Sequence, residues 1–163
     1  MMQIIVGIIV QEWYQSRALY EAVNKLITNG DFENAYKMAY EIPDKVIKAK
    51  AFSKIAVEIA KKGKNYKEAI KKAIDVAYDI NNEEQTTKTL MSLAFEFLNL
   101  GKIDDALEIA RFIRDVSNRS KIEAEAALKL AKEGNVSEAM KIINNIMDED
   151  VKTWVTSRLV STL

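Results

Sequence analysis

Apolar residues recur along most of this chain at helical spacing, and the recurrence itself repeats. Four glycines, Gly30, Gly63, Gly101 and Gly134, stand at intervals of 33, 38 and 33 residues. Aligned on them, the chain shows the same apolar columns four times. Ahead of each glycine come the pairs Ala22-Val23, Ile55-Ala56, Leu93-Ala94 and Ala126-Ala127. One turn later come Leu26-Ile27, Ile59-Ala60, Phe97-Leu98 and Leu130-Ala131. This spacing paints one face of a helix. Past the glycine stands a bulky residue (Phe32, Tyr66, Ile103, Val136), then Ala35, Ala69, Ala106 and Ala139. Ala39, Ala73, Ala110 and Ile143 follow, then Ile42, Val76, Ile113 and Ile146. That is a second apolar stripe on a second helix. Each repeat therefore reads helix, glycine turn, helix.

The glycines suit the left-handed residue that ends a helix, which costs glycine no Cβ clash. Asn65 with Glu68, and Asn135 with Glu138, have capping-box spacing; Asp31 and Lys102 fill the same slot elsewhere. Asp44 and Asn82 are the clearest starts for first-type helices. The longer middle interval holds Lys64 as one extra loop residue plus one extra helical turn before Leu90, which keeps the faces in phase. The pattern predicts ten helices, roughly 2–10, 11–29, 31–42, 44–62, 65–80, 83–100, 102–117, 119–133, 135–147 and 151–163. The repeats run 11–43, 44–81, 82–117 and 118–149 within a single domain of residues 1–163. Residues 151–163 close the array, with Leu159, Val160 and Leu163 in the apolar columns. Residues 2–10, rich in Ile and Val, fit a half-repeat helix or a strand.

These columns resemble the tetratricopeptide-repeat (TPR) family over about residues 15–147. The family's large-small pair falls on Ile55-Ala56 and Leu93-Ala94. Its second bulky position falls on Leu26, Ile59, Phe97 and Leu130, and its alanine on Ala35, Ala69, Ala106 and Ala139. Leu19, Phe52, Leu90 and Glu123 stand in place of the family's Trp, the second-helix aromatic is replaced by Ala or Ile, and the terminal Pro is missing. The resemblance is to a divergent member. It implies an all-α, right-handed α-α superhelix whose first helices line a concave groove for a peptide-like partner.

Carried over by column, that groove presents Tyr20, Ser53, Met91 and Ala124, with Asn24, Val57, Phe95 and Leu128. Arg17, Lys50, Lys88 and Lys121 form a basic row at its rim. Such a row beside an apolar trough suits a peptide with spaced acidic residues, while four solvated helix-surface cations are the plainer reading. Only Asn24 matches the carboxylate clamp of chaperone-binding members. The front segment predicts self-association as a dimer through Ile4, Ile5, Ile8, Ile9 and Trp13, since solenoid ends normally carry a polar outer face.

Composition narrows the chemistry. The chain has no Cys and no His, which removes disulfides, zinc–thiolate sites, Ser-His-Asp triads and imidazole acid–base work. No phosphate loop is present; KKGKN at 61–65 lacks the second Gly. Asp148-Glu149-Asp150 reads as helix-opening charge rather than a metal site. No catalytic residue, cofactor or metal is expected. Lys plus Arg and Asp plus Glu are 24 each, so the net charge of zero argues against a nucleic-acid partner. The apolar front is too short to span a bilayer and lacks the marks of a secretory signal, so a cytoplasmic location is expected. The expected function is a non-enzymatic protein–protein interaction module or scaffold. The alternatives are a nucleic-acid-binding helical repeat and a helical accessory subunit of an enzyme complex.

Overall fold

The computed structural model describes residues 1–163, and all of its regular structure is helical. Nine helices follow in order: α1 Met2–Thr28, α2 Phe32–Tyr40, α3 Lys45–Lys61, α4 Lys67–Tyr78, α5 Glu83–Asn99, α6 Ile103–Ala110, α7 Val116–Lys132, α8 Val136–Asn144 and α9 Glu149–Thr162. There is no strand. The two helices expected at 2–10 and 11–29 are one, because nothing between them breaks the backbone ladder. Gly7 stays inside the helix, its missing Cβ facing open space.

The repeat unit is built as the columns predict. At all four turns the glycine has a positive φ, from 70 to 89°. Each turn closes with the same pair of hydrogen bonds. At Gly134 they run from the Gly134 N–H to the Ala131 carbonyl (3.0 Å) and from the Asn135 N–H to the Leu130 carbonyl (2.8 Å). These bonds satisfy carbonyls that the helix end leaves free.

Helix starts are mostly capped by carboxylates or amides. Asp31, Asp44, Asp115, Asn135 and Asp148 each accept from the backbone N–H three residues on. Asn82 does the same for Gln85 at 3.0 Å. Asn65 departs from the expected capping box: it accepts from the Lys67 N–H at 3.2 Å, and α4 begins one residue later than Asn65 would have set it. Asp115 is a cap that the residue pattern concealed. It starts α7 at Val116, ahead of the expected 119, while α6 stops at Ala110 instead of running to 117.

Two compact units divide the chain, Met1–Thr89 and Leu90–Leu163, with the boundary inside α5. In the first, α1, α2, α3 and α4 pack in sequence, α3 lying against α1, α2 and α4. Fully buried Phe52 of α3 meets the rings of Tyr36 and Tyr40 of α2, at centroid distances of 5.6 and 4.8 Å. Burial pushes the Tyr36 phenol up to about 12. In the second unit α7 is central, touching α6, α8 and α9. Its core joins Ala124, Ala127 and Leu128 of α7 to Ala139 and Ile143 of α8 and Val155 and Leu159 of α9. Alanines at these contacts let helix axes approach closely. Val160 and Leu163, expected in the apolar columns, are instead exposed: neither α7 nor α8 reaches that side of α9.

Candidate docking cleft

The second unit holds a cleft of about 530 Å³ between α5, α7 and the start of α9. Ser117, Lys121 and Glu125 line it from α7, stacked one turn apart on one helix face. Asp148 caps α9 at its mouth, its Oδ1 accepting the Val151 N–H at 3.0 Å. Asp150, Val151 and Trp154 complete the α9 wall, and Phe95 reaches in from α5. Phe95 is 37% exposed and Trp154 47%, so both rings offer open apolar surface. Among the lining residues Lys121 is the one cation, and Glu125, Asp148 and Asp150 are the carboxylates.

A buried hydroxyl sets the position of α9. Ser120, fully buried, accepts the Asp148 N–H at 3.3 Å. Ser16 does the same for Asp44 at 2.9 Å, holding the start of α3 against α1. The two pairs have the same sequence separation, 28 residues, and bracket Gly30 and Gly134 symmetrically. Each serine satisfies a donor that precedes the helix and lies beyond its ladder.

Of the residues expected to form a groove, the cleft contains Phe95 and Lys121. Leu128 lies in the core of the same unit. In the first unit, Tyr20 and Val57 are buried, at 8 and 6% exposure. Arg17 and Lys50 converge on the Tyr20 ring from α1 and α3, at 5.8 and 5.6 Å from its centroid. Burial raises the Tyr20 phenol above its ordinary value, while hydrogen bonding from Asn24 opposes this. Asn24 Oδ1 and Ser53 Oγ are buried without a hydrogen-bond partner. Lys88 pairs with Glu84 on an exposed face at 3.0 Å, and Met91 is half-buried on α5. Ile4, Ile5, Ile8, Ile9 and Trp13 are exposed on the front of α1, between 49 and 69%.

The α9 wall was missed by the residue pattern, although a signal for it existed. One further 33-residue step along the basic column, from Lys121, lands on Trp154, and the same step from Ser117 lands on Asp150. The apolar columns were carried past the fourth glycine, to Leu159, Val160 and Leu163, and the basic column was not. A smaller hollow of about 190 Å³ lies between α6, α7 and α8, where burial raises the Glu123 carboxyl and nearby Arg119 lowers it. No group of His, Cys, Asp or Glu is arranged to hold a metal ion, and no helix is long and apolar enough to cross a membrane. No family model, curated protein or solved structure matches the chain.

Proposed function

We propose that this chain is a non-enzymatic protein–protein interaction module, a divergent TPR-like superhelix whose first-type helices receive a segment of a partner protein. The α5–α7–α9 cleft carries this reading: it is open, walled by two half-exposed aromatics, and holds Phe95 and Lys121 of the expected groove residues. Its charge specifies the ligand further. Three carboxylates against one lysine, beside the Phe95 and Trp154 rings, favour an Arg- or Lys-bearing peptide. A guanidinium or ammonium gains there from both the carboxylates and the ring faces. This is the opposite sign to the acidic peptide that the row of lysines suggests by itself. The same carboxylates, with the zero net charge, disfavour a nucleic-acid backbone.

The test uses immobilised peptide arrays of matched basic, acidic and neutral composition, followed by titration calorimetry of the best binder. Basic peptides are expected to bind. Trp154→Ala should weaken them by about 1–3 kcal/mol, as loss of an aromatic anchor does. Asp150→Lys should abolish the preference for basic over neutral peptides. Undiminished binding in Trp154→Ala and Phe95→Ala, or a preference for acidic peptides, overturns the assignment.

A further inference from the structure

Helix α1 projects beyond the helices that cover it. Every residue from 1 to 15 is exposed, whereas Ser16, Tyr20, Val23 and Ile27 of the same helix are buried. At 3.6 residues per turn, Met2, Ile5 and Ile9 stand on the same side of the helix as those buried residues. The stripe that packs on α2 and α3 therefore continues, uncovered, for about 20 Å toward the N-terminal end. Val6, Ile8, Val10 and Trp13 widen it. Gln3, Gly7, Gln11 and Gln15, at four-residue spacing, make the one polar strip on the opposite side, with Ile4 beside it.

We propose that a second copy of this chain covers this surface, the two α1 front segments pairing antiparallel about a two-fold axis. The large apolar side chains of this stripe, Ile4 and Tyr14 left out, are 46 to 81% exposed. Together they leave on the order of 800 Å² of apolar surface in water, more than the ~300–600 Å² patch of a typical monomer and about what each partner of a stable complex gives up. A second copy brings a stripe of the same length and chemistry, so one isologous contact covers both. Antiparallel pairing puts the bulky α2 and α3 of each copy at opposite ends of the contact.

Charge favours the same occupant. Glu12 is the sole charged side chain between 2 and 15; it sits at the Ile5 edge of the stripe, and antiparallel pairing carries the two Glu12 copies toward opposite ends of the contact, while the net charge of the chain is zero. A membrane surface is a poorer match. Helices that lie on lipid carry a strongly polar face with Lys or Arg, and here no basic side chain precedes Arg17.

Sedimentation equilibrium of the full chain at tens of micromolar tests the pairing. The expected particle is twice the 18.5 kDa chain. Ile5→Lys with Ile9→Lys places like charges in the contact and should weaken dimerisation at least ~100-fold, giving monomer. Its helicity should be unchanged, since neither side chain has cover to lose within the chain. Gln3→Lys, on the polar strip, should remain dimeric. A monomeric parent chain overturns the proposal, whether it stays free or floats with phosphatidylcholine–phosphatidylserine vesicles. A double-lysine variant that stays dimeric, or a Gln3→Lys variant that dissociates, overturns it equally.

Discussion

Replacing Gly134 by alanine isolates the backbone term that the repeat turns on. Gly134 has φ +89°, and a Cβ built there meets no atom within 4 Å. Steric conflict with the rest of the chain is therefore zero, and the cost is local. Holding an L-residue in the left-handed region costs ~1–2 kcal/mol. Alanine also restricts the unfolded chain, which returns ~0.4–1 kcal/mol. The expected loss is about 1 kcal/mol, or about 2–4 °C in Tm for a chain of this size. Gly134→Asn separates the causes. Asparagine is larger than alanine yet tolerates the left-handed conformation, so it should cost less. Urea melts followed by circular dichroism measure both. If asparagine is worse than alanine, the turn is limited by space and the backbone argument fails. If alanine is neutral, the turn does not need the Ala131 and Leu130 carbonyl bonds that the left-handed residue makes possible.

Two further outcomes are expected. Ser120→Ala removes the acceptor of the Asp148 N–H and should cost ~1–3 kcal/mol, the price of a part-buried donor left unpaired; an unchanged melt would show that water replaces the serine. Glu123→Gln should alter stability in a pH-dependent way. Burial holds the folded Glu123 carboxyl above its ordinary 4.5, so the folded chain binds this proton more tightly than the unfolded chain. The stability from that proton is fully present below the unfolded value and lost as pH rises through the raised folded value. Glutamine, always neutral, should melt above the parent at neutral pH, and the gap should close as pH falls below that ordinary value. A gap independent of pH would mean that the burial of Glu123 does not govern it.

Local order was legible in the residues because local order is periodic. A stripe at helical spacing needs no partner to be recognised, and a glycine before a new stripe marks a left-handed stop. The buried alanines 35, 69, 106 and 139 therefore sit where the columns put them. Asp115 was not legible. It stands in a run without clear apolar period, and only the observed cap shows that α6 ends early and α7 starts there.

What tertiary structure decided is which face of each stripe finds a neighbour. Tyr20, Val57 and Leu128 share columns with Phe95 or lie beside them, yet they are buried, whereas Phe95 opens into a cleft. A column fixes the direction of a side chain around its own helix and not the distance to the next one. The Ser16–Asp44 and Ser120–Asp148 bonds are of the same kind, linking residues that no local period relates. The front of α1 shows the limit most directly. Its composition made it apolar, and its backbone made it one helix with the rest of α1. Whether Met2, Ile5 and Ile9 are core or surface depends on α2 and α3 stopping short of them, and side-chain chemistry alone carries no record of where a neighbouring helix ends.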